Sequence, residues 1–190
     1  MAPIAIYDAC VLFPAPLRDL LVRMAAADLV RARWTEEILD ECFRSILRQR
    51  ADLNSDALSR TRRLLTEAVP ECIVTQYEQH ISSLHLPDTN DRHVLAAAIA
   101  CRASIIVTAN LGDFPYSALE RYSVRAYHPD QFVGDIIREK PTEMLRILSQ
   151  QASALRNPAV SEDGLLERLA ACGLTTSVAV LQSLRQAGCV

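Results

Sequence analysis

Four carboxylates of this 190-residue sequence stand where an α/β chain can bring them together: Asp8, Glu41, Asp91 and Asp113. In an open parallel sheet, ligands gather at the C-terminal ends of the strands. Asp8 closes the apolar run Ile4 to Tyr7, and Asp113 lies in the loop after Ile105-Ile106-Val107. Asp91 opens a helix whose neighbours can carry it to the same edge. Glu41 stands roughly one and a half turns into a helix capped by Thr35. Acids gathered this way repel one another, and their pKa values rise unless a counter-charge intervenes. A hard divalent cation relieves the repulsion, and oxygen donors are what Mg²⁺ and Mn²⁺ prefer. Singly, each acid also has a purely structural use. Asp8 and Asp113 can make turn hydrogen bonds, and Asp91 is a favourable charge in a first helical turn. Glu41 can face solvent, with Glu37 on the same face one turn earlier.

Alternating strands and helices would position these groups. Ile4 to Tyr7 reads as a buried strand, and Pro14 and Pro16 introduce a helix to about Ala27 with Leu17, Leu20, Leu21 and Met24 at helical spacing. Val30 to Trp34 is a second short strand. Thr35 then caps a helix with Glu36 and Glu37 in its first turn and Ile38, Leu39, Cys42, Phe43, Ile46 and Leu47 on one apolar face. A further helix starts at Asn54 or Ser55 and contains Leu58, Leu64 and Leu65. Cys72 to Thr75 is strand-like, a helix runs from Asp91 to about Arg102, and Ser104 to Thr108 is the next strand. Tyr116 to Arg121 reads as helix, Val124 to Tyr127 as a short edge strand, and Pro129 opens another helix. This alternation predicts an α/β sandwich around a mostly parallel sheet. From about Gly134 onward strand signals vanish. Three helices are expected there, punctuated by Asn157-Pro158, Gly173 and Gly188.

Composition narrows the function. Half the residues are hydrophobic, enough for a sizeable core, while 5% aromatics argue against a surface dominated by base-stacking platforms. A net charge of −3 excludes a globally basic nucleic-acid binder but not a local basic rim. Such a rim has candidates in Arg44 and Arg48, spaced i,i+4 on the Glu41 helix, and in Arg60, Arg62 and Arg63 on the next. They either steer phosphates or form a solvated face paired with acids. Lys140 is the sole lysine, so nearly every cation here is a guanidinium able to fork onto phosphate. Cys10, Cys42, Cys72, Cys101, Cys172 and Cys189 form no C-x-x-C pair, which speaks against structural zinc. His80, His85, His93 and His128 show no ligand-pair spacing and are read as ordinary core or surface residues. No apolar run reaches transmembrane length and the start lacks a basic n-region, so the expectation is a cytoplasmic protein without membrane contact. Missing too is any G-x-G-x-x-G dinucleotide fingerprint.

Tyr7-Asp8-Ala9-Cys10-Val11-Leu12, then Thr35 with Glu41, then Asp91-Arg92-His93-Val94-Leu95-Ala96-Ala97-Ala98, then Val107-Thr108-Ala109-Asn110-Leu111-Gly112-Asp113-Phe114-Pro115 together resemble a PIN domain. The likeness is greatest to PIN-domain ribonucleases of the VapC toxin group and covers about residues 3–133. It implies a three-layer α/β/α sandwich over 1–133, with a helical extension over 134–190. It also implies an acidic quartet of Asp8, Glu41, Asp91 and Asp113, with Thr108 and Asn110 supporting the last acid. The quartet would hold Mg²⁺ or Mn²⁺ for hydrolysis of RNA. Cys10 stands where many relatives carry Asn or Ser, so a supporting hydrogen bond is expected to be lost. The resemblance further implies a protein antitoxin and a homodimer. Two other readings stay open: an idle PIN scaffold serving as an interaction module, and a related structure-specific DNA nuclease.

Overall fold

The computed structural model describes residues 2–50, 54–156 and 158–188. The opening apolar run forms strand β1 (Ile4–Tyr7), followed at once by a one-turn helix α1 (Ala9–Leu12) and by α2 (Ala15–Ala26). Strand β2 (Arg31–Arg33) leads through Thr35 into α3 (Glu36–Gln49). The Thr35 hydroxyl accepts from the Ile38 amide at 3.0 Å and so satisfies one of the orphan donors of the first turn. Helix α4 (Ser55–Ala68) is capped by Asn54, and α5 (Glu78–Ile81) is a single turn. Next come α6 (Arg92–Ala100), β3 (Ile105–Val107), the turn α7 (Tyr116–Leu119) and β4 (Arg125–Tyr127). Helices α8 (Pro129–Glu139), α9 (Pro141–Ala154), α10 (Glu162–Ala171) and α11 (Thr175–Gln186) complete the chain.

The four strands form one sheet in the order β2-β1-β3-β4, every pairing parallel, with Ile6 opposite Arg33 and Ile106. Parallel strands need covered faces, which is why Ala5, Ile6 and Tyr7 are all fully buried rather than alternating. The Tyr7 ring stacks on Trp34, meets Phe132 of α8 edge-on, and its hydroxyl donates to the Leu21 carbonyl of α2. Helix α6 lies along β1 and β3. The expected α/β/α sandwich is therefore present, with an entirely parallel sheet.

Two local expectations differ. Cys72 to Thr75 is no strand: a single parallel bridge joins Trp34 to Ile73, and Gln76 leaves the extended region at φ 61°. Leu47, placed by spacing on an apolar face, is exposed. Helix α8 runs unbroken across positions 133 and 134. That helix is tied to α11 by Asp130, whose carboxylate accepts from the Thr176 and Ser177 amides at 2.9 and 2.7 Å. Burial raises the Asp130 pKa, yet these hydrogen bonds hold it below the usual carboxylate range. Helices α9 and α10 pack on α2, where Gln151 donates to the Pro16 carbonyl at 2.9 Å. Gly173, at φ +93°, makes the left-handed stop between α10 and α11. Asn157 and Cys189 lie outside the described residues.

Candidate active site

A cleft of about 600 Å³ opens at the C-terminal edge of the sheet, lined by Asp8, Glu37, Glu41, Asp91, Asn90 and Asn110 among others. Asp8 is its most constrained member. The parallel ladder passes its amide to the Val107 carbonyl at 3.1 Å, and its carboxylate then caps α1 by accepting from the Ala9 amide at 2.6 Å. The other oxygen accepts from the fully buried Thr108 hydroxyl at 2.7 Å and from the Cys10 thiol at 3.1 Å. Cys10 in turn accepts from the Ala109 amide at 3.3 Å, so the thiol joins the exits of β1 and β3. The hydrogen bond expected to be missing at Cys10 is present, since a thiol is a weak donor but is held in place here. Burial first, then the Asp8 charge, pushes this thiol up to about 12, so it stays protonated and donating.

Thr108 reaches the first acid directly. Its hydroxyl donates to Asp8 and accepts from the Asn110 amide at 3.0 Å, which fixes the turn into Leu111–Asp113. Asn110 reaches Asp113 only through backbone, the Asp113 amide donating to its carbonyl at 3.1 Å.

Of the three glutamates near the start of α3, two face the cleft. Glu36 turns outward and pairs with Arg62. Glu37 accepts from the Tyr77 hydroxyl at 2.9 Å. Glu41 lies 3.3 Å from Nε2 of His93, whose Nδ1 is 3.8 Å from Glu37. His93 is 3% exposed, and neither ring nitrogen makes an aligned hydrogen bond, so these contacts are electrostatic. Burial disfavours its protonation, but Glu41, then Glu37 and Asp8, draw its pKa above the ordinary value. An ordinary role was expected for this histidine. The available signal was its place two residues after Asp91, which puts it at the same helix start.

Asp91 is half-buried at the head of α6. Burial, then the charges of Asp8, Asp88 and Asp113, push its pKa up to about 6. Like-charge repulsion of this kind needs nearby carboxylates, so Asp113 acts on Asp91 electrostatically although it does not line the cleft. Among the described residues no three His, Cys, Asp or Glu side chains form a ready-made metal-ligand cluster. The donor set nevertheless suits a hard divalent ion: all-oxygen carboxylates, mutually repelling, on separate elements around one opening.

Arg44 and Arg48 line the rim of the same cleft. Arg62 is instead tied to Glu36 and Asp40, and Arg63 pairs with Glu67 at 3.5 Å. For those two the solvated, acid-paired face is the reading that the contacts support.

Most of the parallel β2-β1-β3-β4 sheet falls in the stretch that a family comparison matches: the model described as "PIN domain" covers residues 5–112. The chain belongs to the PIN-domain family. A second model, "VapC50 C-terminal domain", matches residues 129–183, beginning at the first residue of α8. Among curated proteins, "Putative ribonuclease VapC50" of Mycobacterium tuberculosis is 39% identical over 79 residues, 42% of this chain and 47% of that protein. The match thus spans about half of that relative's length. No solved structure was found to match the chain.

Proposed function

We propose that this chain is a divalent-cation-dependent endoribonuclease hydrolysing RNA phosphodiester bonds, and the toxin half of a toxin–antitoxin pair. The observation that carries the reading is the shared cleft: Asp8, Glu41 and Asp91 line it, and the Asp113 charge is felt at Asp91. Membership of the PIN family and the similarity to a protein named as a ribonuclease support it.

Asp8, Glu41, Asp91 and Asp113 would hold Mg²⁺ or Mn²⁺, which when bound supplies Lewis acidity toward phosphate and lowers the pKa of water. The chain's own residues prepare that place. Thr108, Cys10 and the Ala9 amide hold Asp8 in one orientation. His93 sits behind Glu41 and Glu37 and draws them toward α6. Arg44 and Arg48 at the rim attract the polyanion, which makes affinity fall steeply with salt. The same reading brings an RNA substrate, a protein antitoxin over the acidic cleft and a homodimer as partners. Five described cysteines are free thiols, which suits the reducing cytoplasm, and no helix of the described residues is long and apolar enough to cross a membrane. We place the join between nuclease unit and extension at His128, since α8 to α11 pack together and the second family match starts with α8.

The test is cleavage of an unstructured RNA by the purified chain. Cleavage in Mg²⁺ or Mn²⁺, abolished by EDTA and restored by re-addition, is the expected result. Absence of cleavage with both ions, or cleavage indifferent to EDTA, overturns the reading.

A further inference from the structure

A second groove begins one residue along the chain from the acidic cleft and is chemically unlike it. It has a volume of about 390 Å³ and lies between the Leu111–Asp113 turn with α7 on one side and strand β4 on the other. Leu111 and Tyr116 line it, bracketing Asp113 in sequence by two and three residues. Both are strongly exposed, Leu111 at 42% and Tyr116 at 62%, and Tyr116 is the one aromatic among the exposed large apolar side chains of the described residues. Arg125 and Gln131 supply polar edges, and the chain passes directly from Asn110 in the cleft to Leu111 in the groove. Strand β4 is the outer strand of the sheet, with β3 as its single neighbour. Its outward backbone donors and acceptors therefore face away from any sheet partner.

We infer that this groove is a nucleobase subsite: one unpaired base of the RNA, next to the phosphate that is cut, stacks on Tyr116. The proposal rests on the ribonuclease reading and deepens it. An exposed π face beside a phosphate-handling cleft is what single-stranded RNA recognition uses, because an unstacked base regains its lost stacking there. The Gln131 amide and the β4 backbone offer donors and acceptors to the base edge, and the Arg125 guanidinium faces the next phosphate. The chain step from Asn110 of the cleft to Leu111 of the groove favours a base of the same RNA over a protein side chain. Scarce aromatics elsewhere make the stacking contact a local device for choosing the nucleotide next to the cut.

The experiment measures fluorescence anisotropy of a short single-stranded RNA on the non-cleaving Asp8→Asn chain, with Tyr116→Ala and Tyr116→Phe added to it. Tyr116→Ala is expected to weaken binding about 5- to 100-fold, the range for loss of one stacked base, and Tyr116→Phe to stay within about twofold. An RNA abasic at the stacked position is expected to lose the same factor on the parent and to show no further loss on Tyr116→Ala. Because Tyr116 is exposed, unchanged thermal melting accompanies these results. Equal RNA affinity of parent and Tyr116→Ala overturns the subsite, as does a Tyr116→Ala defect confined to binding of a protein. A parent that binds no RNA, with a wild type that cleaves none, overturns the ribonuclease reading as well.

Discussion

Asp8→Asn is expected to lower RNA cleavage about 10³-fold or more, the scale on which loss of a preorganised electrostatic group at a reacting centre is felt. The fold should survive. Asparagine caps a helix as well as aspartate does, and its remaining carbonyl oxygen can still accept from the Ala9 amide. The amide group would meet the Thr108 hydroxyl, which can turn to accept from it. A change of about 1 kcal/mol, or about 2–4 °C in Tm for a chain of this size, is the expected structural cost. Cleavage assays paired with thermal melts separate the two effects. A folded Asp8→Asn chain that cleaves at the wild-type rate would remove Asp8 from the chemistry.

Asp91→Asn is expected to do something less usual: stabilise the metal-free protein at neutral pH while abolishing cleavage. Its carboxyl has a folded-state pKa of about 6 against an ordinary value of 3.8, so the folded state binds the proton more tightly than the unfolded state. Below about pH 4 both states are protonated and the site has no effect. As pH rises to about 6 the folded state is progressively penalised, and above that the penalty is constant. Two pKa units would correspond to about 3 kcal/mol, but the group is only half-buried and solvent screening reduces this to about 1 kcal/mol. Asparagine mimics the neutral acid, so its advantage should be full at pH 7 and vanish toward pH 4. Mn²⁺ should raise the Tm of the wild type at pH 7, through binding to the folded state alone, and leave Asp91→Asn much less affected. A variant less stable than wild type at pH 7 would contradict the repulsive cleft.

Much of this was legible along the chain. The Ile4 to Tyr7 and Ile105 to Val107 runs became adjacent parallel strands because each is apolar on both faces, and Thr35 capped α3 as its position predicts. The acids at strand and helix ends followed from the topology of such sheets. What escaped depends on contacts between distant segments. Nothing local shows that Thr108 reaches back a hundred residues to Asp8, or that the Cys10 thiol donates to the same carboxylate oxygen. Glu36, Glu37 and Glu41 look alike in sequence, and only the folded chain separates Glu36, paired with Arg62, from the other two, which lie near His93. The Cys72 to Thr75 run has strand-forming residues but a left-handed Gln76 ends it after a single bridge. The one-turn helix α1 is too short to leave a periodic signal, and its cap is Asp8 itself.

Everything in the functional reading depends on carboxylates from β1, α3, α6 and the β3 exit acting on one ion. Calorimetric titration of Mn²⁺ into the metal-free wild type and into Asp8→Asn, Glu41→Gln, Asp91→Asn and Asp113→Asn tests this most directly. The account predicts saturable binding to the wild type and at least about tenfold weaker binding to each variant, the loss that accompanies removal of a ligand or its close support. Undiminished Mn²⁺ affinity in a folded Asp8→Asn or Asp91→Asn chain would contradict it.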